Sequence, residues 1–150
     1  MRVLIIEDGF EYVETLQRFL SDGFEWERAG SGPVAIERLG GGGYDAIYLD
    51  MRFDRVPEGE LLGDLAATAD RFNGDPVQAR HFLEDHQGNY VLAALREHDV
   101  QTPVLMSYDF SSEPRRWARI AEKYSPVDFL PDNASPAEVA RRLHTLVNPG

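Results

Sequence analysis

The feature that most constrains the fold is a regular alternation of short apolar runs with segments of helical spacing. Runs rich in branched and aromatic residues occur five times, and apolar residues at helical spacing follow them. The runs occupy residues 2–6, 24–29, 44–50, 103–107 and 127–130. Such alternation predicts an α/β domain with a doubly wound, five-stranded parallel sheet, helices on both faces and right-handed crossovers.

Capping residues followed by proline mark the starts of several helices. Ser31, Asp75 and Ser135 each precede a helical segment that has a proline in its first turn. Ser135 and Glu138 also have the spacing of a capping box, in which each side chain accepts a hydrogen bond from the other residue's N–H. The first helix is predicted at about residues 9–20, where apolar residues recur at helical spacing.

Residues 53–85 break the alternation. Two helical patterns occur there, one around residues 61–69 and one that begins at Pro76. The stretch is too short to bury a core of its own. We therefore predict a single domain over residues 1–150, with a helical insertion at about 53–85 between the third strand and the third main helix.

Charge and composition exclude several classes of partner. The net charge is -11, and no long stripe of basic residues is present to neutralise a polyanion, so neither nucleic acid nor an anionic membrane is expected as a partner. The sequence contains no cysteine and no apolar stretch long enough to span a membrane. We expect a cytoplasmic protein.

Carboxylates follow the first and third strands at the point where each strand ends. Glu7 and Asp8 come after the first run, and Asp50 ends the third. Ends of neighbouring parallel strands meet at one edge of a sheet, which is where open α/β sheets bind ligands. Clustered acids need a compensating cation, and Mg²⁺ is the ion that prefers such oxygen ligands. The alternative is that an acid here, Asp8 in particular, caps the following helix.

Four of these segments resemble the successive strands of the receiver domain of two-component response regulators. They are VLIIED at 3–8, YDAIYLD at 44–50, PVLMS at 103–107 and VDFL at 127–130. The resemblance covers nearly the whole chain apart from the stretch at about 53–85. It implies a flavodoxin-like sheet of receiver type and a response-regulator function in phosphorelay signalling.

The resemblance also implies roles for particular residues. Asp50 matches the aspartate that accepts a phosphoryl group from a histidine kinase or phosphotransfer protein. Glu7 and Asp8 match the acidic pair that holds Mg²⁺ together with Asp50, and the backbone carbonyl of Arg52 would complete the metal site. Enzymatic activity would then extend at most to self-phosphorylation on Asp50. A downstream protein would bind at about residues 111–147, and a homodimer stays open.

The sequence departs from the receiver pattern at two positions near the site. Where the family has a lysine that binds the phosphoryl oxygen, this chain has Asp132. The switch hydroxyl is either Ser107 or, one position later, Tyr108. An arginine from the stretch after Asp50 could replace the lysine by pairing with a carboxylate or phosphate. The arginines concerned are Arg52, Arg55, Arg71 and Arg80.

Three functional hypotheses follow. In the first, Asp50 is phosphorylated with Mg²⁺ bound by Glu7 and Asp8. In the second, Asp132 and the insertion make the chain a phosphorylation-independent docking module whose pocket is held by pairs of carboxylates and arginines. The third is an Mg²⁺-dependent phosphohydrolase or nuclease, since acids at strand ends also build such enzymes. The segment after Asp50 lacks the second aspartate that this third hypothesis would favour.

Overall fold

The computed structural model describes residues 1–149 and contains a five-stranded, all-parallel sheet in the order β2-β1-β3-β4-β5. The strands are β1 Arg2–Ile6, β2 Glu25–Ala29, β3 Ala46–Asp50, β4 Val104–Ser107 and β5 Val127–Leu130. Each of the five predicted runs therefore forms a strand. The order shows that the chain winds outward in both directions from β1 and β3, which confirms the predicted doubly wound sheet.

Residues 1–149 form seven α-helices and one short 3₁₀ turn. The helices are α1 Glu11–Phe19, α2 Gly32–Gly40, α3 Leu65–Asp70, α4 Pro76–Asp85, α5 Gln87–Glu97, α6 Pro114–Tyr124 and α7 Pro136–Val147, and the turn is Glu58–Glu60. The predicted caps are confirmed, because Ser31 accepts from the Val34 N–H and Asp75 accepts from two N–H groups of α4. Ser135 and Glu138 form the reciprocal capping box.

Alternate residues of the central strands supply two apolar layers. Leu4 and Ile6 of β1 belong to one layer, which also contains residues of α2, α5 and α6. Val3 and Ile5 belong to the other layer, which also contains Val13 of α1 and residues of α7. Both faces of the sheet are therefore covered, as expected for parallel strands that read as continuous apolar runs.

Hydrogen bonds close the base of the segment that leads from β3 to α5. The Phe53 N–H donates to the Glu84 carbonyl at 2.9 Å, and the Gly88 N–H donates to the Met51 carbonyl at 2.8 Å. Gly88 lies so close to the strand end that a Cβ there would be 2.6 Å from the Asp50 carbonyl oxygen. The start of α5 is thus fixed against the end of β3.

The two helices predicted after β3 are present as α3 and α4, and their segment packs against the main layers. The buried Gln87 side chain accepts from the Leu62 N–H at 2.7 Å and donates to the Leu62 carbonyl at 3.0 Å. The Ser31 hydroxyl donates to Glu60 at 2.9 Å. Phe53 is completely buried in the layer formed with α2, α5 and α6.

Among residues 1–149, none of the helices has the length and apolar character needed to cross a membrane.

Candidate functional site

The parallel register brings the acidic strand ends to one edge of the sheet. Ile6 of β1 pairs with Leu49 of β3, so Glu7 and Asp50 follow neighbouring positions. Asp50 pairs in turn with Ser107, the last residue of β4. A cavity of about 480 Å³ opens at this edge. Its lining includes Asp50, Arg52, Asp85, His86, Ser107, Tyr108, Asp109, Arg116 and Asp132.

Asp50 is largely buried and sits among other acids. Burial raises the pKa of Asp50 to about 7, and the charges of Asp8, Glu7 and Glu11 act in the same direction. The Met51 N–H donates to Asp50 Oδ1 at 2.8 Å and opposes this rise. The surroundings of Asp50 therefore penalise the charged form of its carboxyl group.

Glu7 is buried and caps the first helix. Its carboxylate accepts from the Tyr12 N–H at 3.1 Å and from the Val13 N–H at 2.8 Å. These N–H groups belong to the first turn of α1 and have no partner within the helix. Burial raises the pKa of Glu7, and the two N–H bonds oppose that rise. The helix-capping role that the sequence allowed for Asp8 is thus performed by Glu7.

Asp8 is held by the segment that follows β3. Its side chain is only 2% exposed, and its Oδ2 accepts from the N–H groups of Asp54 at 2.9 Å and Arg55 at 2.8 Å. The Arg55 guanidinium lies 3.3 Å from Asp8 Oδ1 and 3.0 Å from a Glu11 oxygen. One arginine therefore places its positive charge between two of the acids near Asp50.

These hydrogen bonds leave few open oxygens for a metal ion. Both oxygens of Glu7 and both oxygens of Asp8 already accept hydrogen bonds. Within residues 1–149, no cluster of three or more His, Cys, Asp or Glu side chains is arranged to hold a metal. Each carboxylate oxygen has two lone pairs, but Asp8 Oδ2 already accepts two N–H donors and the Arg55 guanidinium lies against Oδ1. The Asp8 carboxylate as placed is therefore a poor ligand for Mg²⁺. Mg²⁺ binding by Glu7, Asp8, Asp50 and the Arg52 carbonyl stays a prediction, and it requires Arg55 to move.

The four arginines after Asp50 have different partners. The exposed Arg52 side chain pairs with Asp85 at 3.1 Å and with Asp54 at 3.4 Å. Arg71 lies over the Phe82 ring, and Arg80 is 3.8 Å from Glu84. Of these four, only Arg55 contacts the acids that follow β1. No local sequence pattern distinguishes it from the other three.

The two positions considered for the switch hydroxyl point in different directions. The buried Ser107 hydroxyl donates to the Tyr12 hydroxyl at 2.8 Å, beside Asp50. The Tyr108 hydroxyl donates to Glu113 at 2.7 Å, toward the start of α6. Ser107 is therefore the hydroxyl adjacent to Asp50, and its role as a switch stays a prediction. Tyr12 was not identified from the sequence, where it reads only as a residue of the first helix.

Asp132 lines the cavity where the family resemblance implies a lysine. It also borders a smaller cavity beside Tyr12 and Tyr48. The pKa of Tyr48 is raised to about 12, chiefly by burial, and the charges of Asp50 and Asp132 contribute to the rise. Asp50 and Asp132 therefore both place carboxyl groups at this edge of the sheet.

Comparison with solved structures shows the receiver fold. The receiver domain of the Francisella response regulator 1452 is 17% identical with a TM-score of 0.66, and the match covers 99% of this chain and 97% of that one. The Vibrio cholerae chemotaxis protein CheY4 is 16% identical with a TM-score of 0.61 and 97% coverage of both chains. For the receiver domain of the hybrid histidine kinase CckA, the identity is 17%, the TM-score 0.59, and coverage 98% and 99%. No protein-family model and no curated protein matches the sequence.

Proposed function

We propose that this chain is a receiver-type signalling module that acts by binding other proteins, and that an internal cation, Arg55, takes the place of Mg²⁺ in its acidic pocket. The receiver fold supports a response-regulator or signalling role. The observation that carries the finer proposal is the Asp8 carboxylate, which accepts from two backbone N–H groups and from Arg55. No enzymatic turnover is assigned to the site.

The energetics of a buried carboxylate support this assignment. Asp8 is almost completely removed from water, so its charge needs donors and a nearby cation to be tolerated. Asp54 and Arg55 supply those donors from the segment after β3. Displacement of the Arg55 guanidinium from Asp8 by a metal ion would therefore require that part of the segment to rearrange. Asp132 adds a second obstacle to phosphorylation, because a carboxylate repels a phosphoryl group.

Phosphorylation of Asp50 is the second candidate, and one observation favours it. Asp50 lines a cavity of about 480 Å³, and no residue within 1–149 donates a hydrogen bond to its Oδ2. Arg52 and Arg116 also line that cavity and could approach a phosphoryl group. An Mg²⁺-dependent phosphohydrolase or nuclease would need a metal held by the same acids, and the occupied Asp8 disfavours it.

Intact-mass spectrometry after treatment with acetyl phosphate and millimolar Mg²⁺ separates the first two candidates. Under the proposal, the wild type gives no phospho-adduct. The double variant Arg55→Gln/Asp132→Lys removes the guanidinium from Asp8 Oδ1 and introduces a cation at position 132, so it should give an adduct that Asp50→Asn removes. Arg71→Gln/Asp132→Lys is the matched control, because Arg71 does not contact the acids. A wild-type adduct that Asp50→Asn abolishes would refute the proposal and establish the second candidate.

The expected partners follow from the signalling role. A histidine kinase or phosphotransfer protein is expected under the second candidate, and a downstream protein is expected at about residues 111–147 under both. Self-association into a homodimer is a further expectation that sedimentation at several concentrations would test. A cytoplasmic location accords with these partners.

A further inference from the structure

We infer that the groove between α5 and α6 is a docking site for an acidic amphipathic helix of a partner protein. The inference deepens the proposed function, since it names the surface through which such a module binds. The groove has a volume of about 380 Å³ and lies between the two helices on the face of the sheet that also carries α2. It shares α6 with the expected docking region at 111–147, but its other wall is α5.

The floor of the groove is apolar. Tyr90 and Ala93 supply it from α5, and Ile120 and Tyr124 supply it from α6. A surface concavity lined in this way gains free energy when apolar side chains of a partner remove it from water. A helix with apolar residues at i, i+3, i+4 and i+7 presents such side chains along one face.

The rim of the groove is positively charged on a protein whose net charge is -11. Arg119 and Lys123 line the groove, are exposed and lie one helical turn apart. Within residues 1–149, neither side chain forms a salt bridge with a carboxylate. Arg116 also lines the groove, but Glu113 pairs with it at 2.9 Å. Two uncompensated cations beside an apolar floor favour a partner that presents carboxylates next to apolar side chains.

Charge also distinguishes among possible occupants. Two copies of the chain, each with a net charge of -11, repel each other. Symmetric packing of one groove on the other would also place Arg119 and Lys123 of one copy against the same cations of the second copy. Nucleic acid needs more phosphate neutralisation than these few cations supply. An acidic helix is the occupant that matches both the apolar floor and the positively charged rim.

Selection from a displayed peptide library tests the inference. The library has a helical scaffold with leucines at i, i+3, i+4 and i+7, and each flanking position is Glu, Lys or Ser. Selection against the full chain, in EDTA and without a phosphodonor, should enrich Glu at the flanks. For the enriched peptide, fluorescence polarisation should show affinity at least about tenfold weaker for Arg119→Glu/Lys123→Glu. The variant Arg115→Glu/Arg141→Glu is the matched control, because it changes charge equally outside the groove and should lose less than about threefold.

The outcomes separate the occupants. Equal losses in the two double variants would show nonspecific charge attraction and overturn the inference, as would a selection that enriches no acidic peptide. Dimerisation that Arg119→Glu/Lys123→Glu abolishes would assign the groove to a second copy instead. The peptide selection contains no phosphodonor, so its result does not depend on phosphorylation of Asp50. A phospho-adduct in the mass experiment would therefore refute the proposed function and leave the peptide-binding result unaffected.

Discussion

Replacing Asp50 by Asn should stabilise the protein, and the gain should depend on pH. The pKa of Asp50 is raised from its ordinary value of 3.8 to about 7 by burial and by neighbouring acids. Because the pKa of Asp50 is higher in the folded state than in the unfolded state, the contribution of this group to the free energy of unfolding is fully present below about pH 4. That contribution is lost as the pH rises toward 7. The difference between these pKa values corresponds to a loss of up to about 4 kcal/mol at pH 8. Asn has nearly the same shape and no charge to desolvate, so the Asp50→Asn variant avoids that loss.

Thermal and urea unfolding between pH 4 and pH 8, in EDTA, measure this difference. Wild type and Asp50→Asn should have similar stability at pH 4, and the variant should unfold about 10 °C higher at pH 8. Asp22→Asn is the control, since Asp22 is exposed and its replacement should leave the pH dependence unchanged. If the wild-type and Asp50→Asn curves stay parallel across this range, the charge at Asp50 is not penalised by its surroundings and the reasoning is wrong.

Three further substitutions test contacts that hold the helices and loops to the sheet, each by chemical denaturation. Gly88→Ala places a Cβ 2.6 Å from the Asp50 carbonyl oxygen, so it should cost about 2 kcal/mol, and an undiminished stability would contradict this close approach. Ser31→Ala removes the cap of α2 and the hydrogen bond to Glu60, which should cost about 2 kcal/mol, and an unchanged stability would contradict both roles. Arg96 donates to the carbonyls of Tyr124, Val100, Thr102 and Pro126, so Arg96→Met should cost about 3 kcal/mol, and equal stability of Arg96→Met and wild type would refute this role.

The sheet was predictable because its signals are local. Each strand is a short apolar run, and the caps at Ser31, Asp75 and Ser135 depend on residues within one helical turn. The expectation that strand ends share an edge follows from parallel pairing alone, and the register of β1 with β3 places Glu7 beside Asp50.

The contacts of the acids were less predictable. Val3 and Ile5 face the layer that contains α1, and Glu7 continues that alternation, so its capping of α1 follows once the position of α1 is known. The contact between Asp8 and Arg55 joins residues 47 positions apart. Nothing in the local sequence separates Arg55 from Arg52 or Arg71, since the choice depends on how the segment after β3 leaves the sheet.

The closed base of the segment between β3 and α5 has a consequence for sequence variation. Two hydrogen bonds, Phe53 N–H to Glu84 and Gly88 N–H to Met51, fasten its two ends to each other. The entropy lost on closing a loop grows only with the logarithm of its length. Residues can therefore be added at the exposed turn at 73–74 with little energetic cost to the sheet. Changes near Asp54 and Arg55 would instead disturb the donors to the buried Asp8 carboxylate.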